Sequence, residues 1–131
     1  MPVFSVLKKR SDFVRLTKSG FSVATKTLVL QAIESGLDVL TGKPRVGYTT
    51  TKKIGKAHVR NRCRRRLRAA TALLFDKYAM PDFDYVLIAR YRTENADFRQ
   101  ICADLQYALK KVKANFSGAE EDAKENSDFS C

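Results

Sequence analysis

The chain has 131 residues, with 25 Lys and Arg against 14 Asp and Glu and a single His, which gives a formal net charge of +11. This length fits one domain, and a hydrophobic content of 44% is enough to build a core rather than a disordered basic tail. No apolar run reaches the length of a signal peptide or the roughly 20 residues of a membrane span, which predicts a cytoplasmic protein. Three widely spaced cysteines without a CxxC pair favour neither a disulfide framework nor a zinc site: Cys63, Cys102 and Cys131.

The first half of the chain predicts a short helix followed by two strands. Apolar residues between positions 7 and 16 recur at loosely helical spacing, and this helix is expected to end near Gly20. Residues 21–33 are rich in β-branched and aliphatic side chains and predict one long strand, with a possible division by a bend near Ala24. Residues 45–51 predict a second strand, which we expect to pair antiparallel with the first.

The clearest periodicity in the chain lies between positions 56 and 77 and predicts an amphipathic helix. Its apolar positions step by three or four residues and fall within an arc of about 80°: Val59, Cys63, Leu67, Ala70 and Leu74. The opposite arc carries five arginines: Arg60, Arg62, Arg64, Arg65 and Arg68. Arg66 falls beside the apolar stripe and is expected to extend its guanidinium past it to reach water.

The remaining elements complete a small α/β sandwich. The short, nearly all-apolar run at positions 84–90 predicts a strand covered on both faces, and positions 98–116 predict a second long amphipathic helix. Residues 117–131 have no apolar periodicity and are predicted to be a disordered acidic tail. This tail carries a net charge of −4, so the preceding residues carry +15.

Positive charge is concentrated in one segment. No acidic residue occurs from position 39 to position 75, an interval that holds 11 of the 25 basic side chains. Like charges at helical i, i+4 spacing repel one another by a few tenths of a kcal/mol per pair, and binding to phosphates offsets that repulsion. The predominance of Arg over Lys in the predicted helix favours bidentate contacts with phosphates. The segment therefore predicts binding to nucleic acid.

No constellation of catalytic side chains is visible in the sequence. His58 is the only histidine, and the chain has no HExxH motif, no Ser-His-Asp order and no phosphate-binding glycine loop. The closest acidic pair, Asp82 and Asp84, flanks the start of a predicted strand, where Asp commonly serves a turn. We interpret His58 as a surface residue of the basic helix and expect no catalytic or metal-binding residue in this chain.

The sequence favours RNA over DNA as the ligand only weakly. A DNA-binding protein would typically show a helix-turn-helix pair or zinc ligands, and neither pattern occurs. Aromatic residues near a sheet can stack unpaired RNA bases, and Phe13, Phe21 and Tyr48 are candidates, although core packing is the commoner role for any one of them.

The stretch RVGYTTTKKIGKAHVRNRCRRRLRAA, residues 45–70, resembles the signature of the bacterial ribonuclease P protein subunit. In that family a strand ending in a Lys-Lys-x-Gly turn leads into a helix that carries Arg-Asn-Arg followed by basic pairs. The similarity extends to LKKRSDFVRLTKSG near the start and to DYVLIAR with its following helix. It covers about residues 7–116 and omits the acidic tail.

The resemblance implies a fold and a function that periodicity alone does not give. The fold would be one domain, residues 1–116, built as a two-layer sandwich of a four-stranded mixed sheet with helices. A left-handed crossover through the basic helix, which is rare, would join two parallel strands. The protein would be the small partner of a catalytic RNA that removes the 5′ leader from precursor tRNA. Mg²⁺ would be held mainly by the RNA, and the chain would supply no nucleophile and bind no metal by itself.

The resemblance also assigns two sets of binding residues. The set facing the catalytic RNA is Lys52, Lys53, Lys56, Arg60, Asn61, Arg62, Arg64, Arg65 and Arg68. Lys9 and Phe13 are implied to line a cleft that holds the single-stranded leader. Thr17 and Gln31 stand where many family members carry aromatic residues, so stacking of the leader is expected to be weaker here or to use other side chains.

Two other functions remain open on the sequence. One is a ribosomal or ribosome-assembly protein that uses the same cationic helix, and the RNA that co-purifies would identify it. The other is a protein-only nuclease that uses His58 and Asp76, and cleavage by RNA-free protein would identify it. The expected partners are ribonuclease P RNA and precursor tRNA, with no membrane and no obligate protein partner.

Overall fold

A five-stranded mixed sheet and three α-helices make up the computed structural model, which describes residues 4–7, 9–36 and 40–117. In chain order the elements are β1 (Ser5–Val6), α1 (Arg10–Ser19), β2 (Phe21–Ala24), β3 (Leu28–Glu34), β4 (Arg45–Thr49), α2 (Ala57–Tyr78), β5 (Phe83–Ala89) and α3 (Phe98–Ser117). Short 3₁₀ turns at Lys52–Ile54 and Tyr91–Thr93 precede α2 and α3. The predicted α/β class is confirmed.

The sheet has five strands, one more than the four that the resemblance implies and two more than the three that the sequence patterns predict, because the chain adds the short β1 and folds residues 21–34 into a hairpin. Strands β2 and β3 pair antiparallel, with Ala24 opposite Val29. One undivided strand over residues 21–33 is therefore wrong, whereas the alternative, a division near Ala24, is confirmed. The turn contains neither Gly nor Pro, and Thr25 closes it. The Thr25 backbone N–H and hydroxyl donate to the Leu28 carbonyl, both at 2.8 Å, and the Leu28 N–H donates to the Thr25 hydroxyl at 3.2 Å.

Strand β5 lies at the centre of the sheet, whose order is β1-β4-β5-β3-β2. It pairs antiparallel with β3 and parallel with β4, so the predicted antiparallel pairing of residues 45–51 with the first strand is wrong. A nearly all-apolar strand is most stable at the centre of a sheet, where both of its faces are covered. Helix α2 connects the parallel neighbours β4 and β5, as the resemblance implies. The left hand of that crossover stays a prediction.

Helices cover the two faces of the sheet unequally. Helices α2 and α3 pack on one face, where Tyr85 and Leu87 of β5 join the main hydrophobic core. On the other face Val86 packs in a much smaller cluster with Leu7 and with Leu16 of α1, so α1 adds a partial third layer. The rest of that face is left open beside α1. No helix of the described residues is apolar enough over a sufficient length to cross a membrane.

Helix α2 confirms the predicted amphipathic pattern. Four residues of the apolar stripe are buried, namely Cys63, Leu67, Ala70 and Leu74, and Val59 is half-buried. Gly55 allows the sharp entry into this helix: its φ is +151°, and a Cβ there would lie 3.2 Å from the Val59 side chain. The predicted tail beyond Ser117, which includes Cys131, lies outside the described residues.

Candidate nucleic-acid interface

A cleft of about 570 Å³ lies between α1 and the open face of the sheet. Helix α1 forms one wall with Arg10, Phe13, Val14, Thr17 and Lys18, and the sheet forms the floor with Gln31, Thr49, Val86 and Ile88. The floor is mostly apolar, while Arg10 and Lys18 on the helix are exposed cations. An apolar floor beside cations suits a ligand with flat apolar rings and negative charge.

Phe13 belongs to both the cleft and the smaller core cluster. Its side chain is half-buried and packs against the cluster of Leu7, Leu16 and Val86. The ring also lies directly over Gly47 of β4, where an added Cβ would be only 2.5 Å from the Phe13 Cζ atom. Gly47 therefore allows the ring to approach the strand closely while one edge still lines the cleft.

The other residues predicted for the leader cleft have different positions. Thr17 and Gln31 both line the cleft, and the Thr17 hydroxyl donates to the Phe13 carbonyl at 3.0 Å. Lys9 is exposed and immediately precedes α1, but it is not among the residues that line the cleft, so its role stays a prediction. Arg10 and Lys18 are the cations that do line it. The sequence analysis missed them, although they lie three and five residues from Phe13 on a predicted helix.

The cationic surface is formed by the 3₁₀ turn Lys52–Ile54 and the first half of α2. Seven of its nine predicted residues are exposed, and Arg60 and Arg64 are half-buried. The exposed residues are Lys52, Lys53, Lys56, Asn61, Arg62, Arg65 and Arg68. Arg64 donates to the Asn61 Oδ1 atom at 3.0 Å and to the Thr50 hydroxyl at 2.7 Å. Because Thr49 lines the cleft, the cationic surface and the cleft meet at the end of β4.

Several arginines of α2 also bind parts of the protein. Arg66 donates to the carbonyls of Thr93 and Ala96, which satisfies the guanidinium that the sequence placed beside the apolar stripe. Arg62 donates from Nε to the Glu94 carbonyl at 3.2 Å while its side chain stays exposed. These bonds fasten the segment after β5 to α2.

Arg68 lies over the ring of Tyr48, with 5.6 Å between its Cζ atom and the ring centroid. Burial raises the pKa of Tyr48, although the nearby Thr71 hydroxyl and Arg68 oppose that shift. Tyr48 thus faces the helix side of the sheet. It is not placed to stack a base in the cleft.

A second pocket, of about 530 Å³, was missed by the sequence analysis. It lies between the β2–β3 turn and the segment after β5, and it is lined by Ala24, Thr25, Lys26, Arg90, Tyr91 and Arg92. Tyr91 is 74% exposed. The Arg90 guanidinium donates to the Thr25 carbonyl at 2.8 Å and holds the two sides together. The Arg-Tyr-Arg sequence directly after a predicted strand was the signal available for this pocket.

A buried ion-pair network lies beneath α1. The fully buried Asp84 carboxylate accepts two hydrogen bonds from Arg45, at 2.8 and 2.7 Å, one from Ser35 at 2.7 Å and one from Arg15 of α1. Asp82, by contrast, accepts from the backbone N–H groups of residues 41 and 42, at 3.0 and 2.8 Å. The structural role expected for both aspartates is confirmed, but only Asp82 serves a turn.

This network makes stability depend on acid pH. Burial alone would raise the pKa of Asp84, but hydrogen bonds from Arg45 and Ser35 and the charges of Arg45 and Arg15 outweigh it and hold the pKa below its usual range. Because the pKa of Asp84 is lower in the folded state than in the unfolded state, ionised Asp84 stabilises the fold at pH values above its unfolded-state pKa of about 3.9. This stabilisation is lost as the pH falls through the folded-state pKa.

We therefore expect Asp84→Asn to be less stable than the wild type by about 3–5 kcal/mol at pH 7, because it leaves two partly buried guanidinium groups without the buried carboxylate that pairs with them. The difference should shrink below about pH 4, where the wild type loses the same interaction. Thermal unfolding followed by circular dichroism from pH 2 to 7 measures both. A difference that stays constant over this range would contradict the assignment.

The two residues proposed for a protein-only nuclease do not form one site. His58 and Asp76 are both exposed and lie on the same helix, near its two ends. Their separation of 18 positions corresponds to about 27 Å along the helix axis, at 1.5 Å per residue. A general base and an acidic partner must be within hydrogen-bond reach of one substrate, so this pair is excluded.

A sheet with one open face, a cleft beside α1 and a long cationic helix defines a small α/β RNA-binding protein. The family model for ribonuclease P matches residues 1–113. The chain belongs to the ribonuclease P protein family. As a member of that family it is a component of the ribonucleoprotein that processes tRNA, and its partner is ribonuclease P RNA.

Similar proteins support this assignment over most of the chain. The chain is 43% identical over 109 residues to the ribonuclease P protein component of Paramagnetospirillum magneticum, covering 82% of each protein. The Staphylococcus aureus RNase P protein matches with a TM-score of 0.68 and 29% identity, covering 82% of this chain and 94% of that one. The protein from Thermotoga maritima matches with a TM-score of 0.70 and 27% identity, covering 82% and 97%.

Proposed function

We propose that this chain binds ribonuclease P RNA through the cationic surface of α2 and holds the 5′ leader of precursor tRNA in the cleft between α1 and the sheet. In this way it assists Mg²⁺-dependent removal of the leader. The observation that carries the proposal is the adjacency of the two surfaces at Thr49 and Thr50, since Thr49 lines the cleft and Thr50 accepts a hydrogen bond from Arg64. One RNA-bound protein could therefore contact both partners at once.

The cleft suits unpaired RNA better than a duplex. In a duplex the base faces are covered by stacking, whereas a single strand can turn a base onto an aromatic ring or an apolar floor. Phe13 supplies one ring edge, and Val86 and Ile88 supply an apolar floor. With Thr17 and Gln31 in place of further aromatics, Phe13 carries most of the stacking in this proposal.

The cationic surface suits a folded RNA with closely spaced phosphates. Arginine guanidinium groups bind phosphate oxygens in a bidentate manner, and Arg62, Arg65 and Arg68 of α2 are exposed, as are the lysines of the preceding turn. Each phosphate that is neutralised releases condensed counterions, which makes such binding strong at low salt.

The chemistry in this proposal belongs to the RNA and its bound Mg²⁺. The described residues contain no group of three or more His, Cys, Asp or Glu side chains placed to hold a metal ion. The cationic surface of α2 would repel Mg²⁺, whereas RNA phosphates attract it. The described residues thus do not fit a Mg²⁺ site, and in this proposal they bind and orient the two RNAs.

Purified protein should leave precursor tRNA intact and should lower the Mg²⁺ concentration that its RNA partner needs for cleavage. The reason is that His58 and Asp76 lie too far apart to act on one substrate, and the described residues contain no cluster placed to hold a metal ion. Gel analysis of labelled precursor tRNA, with protein alone, RNA alone and both, measures this across a Mg²⁺ titration. Cleavage by RNA-free protein that is lost in His58→Ala would overturn the proposal, as would exclusive co-purification of ribosomal RNA.

A further inference from the structure

We propose that Asp84 is a positioning residue for the leader cleft: it holds α1 at the angle and height above the sheet that a single-stranded RNA requires. The inference rests on the proposed function of the cleft. It concerns a buried carboxylate that does not line the cleft and cannot touch an RNA bound there.

Apolar packing alone holds α1 weakly. Only one residue of the helix, Leu16, is fully buried, and the cluster it joins has three buried members, whereas the opposite face of the sheet carries the extended main core. The ten-residue α1 has no side-chain cap at its first turn. Its placement therefore depends strongly on polar bonds to the sheet.

The polar bonds from α1 converge on Asp84. Arg15 donates one guanidinium nitrogen to the Asp84 carboxylate and the other, at 2.9 Å, to the Glu34 carbonyl at the end of β3. Arg45 of β4 donates twice to the same carboxylate, and its guanidinium also lies 3.6 Å from the carboxylate of Asp12 on α1. One buried carboxylate thus links α1 to β3, β4 and β5.

The same short helix bears the network on one side and the cleft on the other. Asp12 and Arg15 face the network, and Phe13 and Thr17 line the cleft. A helix with its side chains has a radius of about 5–6 Å, so a rotation of α1 by about 20° moves the tip of a cleft side chain by about 2 Å. Such a displacement is large compared with the tolerance of a stacking contact.

The matched control is Asp104, a carboxylate on α3 with a comparable role on the opposite face of the sheet. It accepts from the backbone N–H and the hydroxyl of Thr27 at 3.1 and 2.7 Å, and it lies outside the cleft and the cationic surface. Asp104→Asn thus perturbs a half-buried anchor of a helix that lies on the opposite face of the sheet from α1. Both variants keep the size of the side chain and remove its charge.

The experiment compares the wild type, Asp84→Asn and Asp104→Asn, each assembled with ribonuclease P RNA, at a temperature where thermal unfolding shows all three to be folded. Affinity is measured for precursor tRNA with a ten-nucleotide leader and for the same tRNA without a leader. We expect Asp84→Asn to reduce the preference for the leader-bearing tRNA at least tenfold. Its affinity for the leaderless tRNA and for the catalytic RNA should change less than twofold, and Asp104→Asn should keep the wild-type preference.

Arg15→Lys keeps the inference testable if Asp84→Asn does not fold. Lysine retains the charge but cannot bind the Asp84 carboxylate and the Glu34 carbonyl together, so a partial loss of leader preference is expected. A wild-type preference in the folded variant would overturn the positioning role, as would an equal loss in Asp104→Asn. If the wild type itself shows no preference for the leader, the proposed function of the cleft fails instead.

Discussion

Replacing Phe13 with Ala is expected to weaken binding of precursor tRNA to the assembled ribonucleoprotein by about 5- to 150-fold, because a base stacked on an aromatic ring is worth about 1–3 kcal/mol. Binding of mature tRNA and assembly with the catalytic RNA should change little. Since the ring is only half-buried, its removal should also lower stability, but by less than the ~3–5 kcal/mol typical of a fully buried Phe. Affinity measurements with the two tRNAs and thermal unfolding of the free protein separate these effects.

Two further variants separate the ring from its packing. Phe13→Leu retains apolar contact with the small cluster but removes the stacking face, so it should lose leader binding with a smaller loss of stability. Gly47→Ala leaves the ring in the chain but places a Cβ 2.5 Å from its Cζ and 3.2 Å from Leu7 Cβ, which forces the ring to move. We expect it to reduce leader preference as well. Equal losses of precursor and mature tRNA binding in all three variants would show that Phe13 serves only the core.

Helix α2 was predictable because one strong pattern determines it. The apolar stripe and the uninterrupted run of cations both lie within a single helix, and local periodicity does not depend on the rest of the fold. The predicted bounds, 56–77, differ by one residue at each end from Ala57–Tyr78. The central position of β5 follows in the same way from its apolar sequence.

The features that sequence reasoning missed depend on distant partners. The β2–β3 turn is closed by the Thr25 side chain rather than by Gly or Pro, so the sequence indicated only a bend near Ala24 and not a hairpin. Strand β5 inserts between β3 and β4, and nothing local to residues 45–51 indicates this. Asp84 was interpreted as a turn residue because its partners, Arg15 and Arg45, are 69 and 39 positions away.

The cleft was likewise hard to predict from the sequence, because it is formed by distant parts of the chain. Its residues come from α1, β3, β4 and β5, and only their assembly shows that Phe13, Gln31 and Ile88 face a common space. The resemblance to the family identified Phe13 and the departures at Thr17 and Gln31. That Arg10 and Lys18 line the cleft could be seen only from the orientation of α1. In our proposal the buried network at Asp84 determines this orientation.

Binding to the catalytic RNA is expected to fall steeply with salt. If all eight cations assigned to the RNA-facing surface contact phosphates, the slope of log affinity against log salt should be about −6 to −7, at 0.7–0.9 per phosphate. Affinity would then fall by about three to four orders of magnitude between 50 and 200 mM salt. Filter binding over this range measures the slope, and a slope near zero would place the RNA elsewhere on the protein.

Neighbouring arginines of α2 provide the sharpest test of which cations contribute. Arg65 is exposed, so Arg65→Met should make the slope less steep by about 0.7–0.9 without a large change in melting temperature. Arg66 is half-buried and donates to the Thr93 and Ala96 carbonyls, so Arg66→Met should lower the melting temperature and leave the slope unchanged. The two substitutions are chemically identical and adjacent in sequence, so an equal change in slope would mean that total charge, rather than the face of the helix, determines binding.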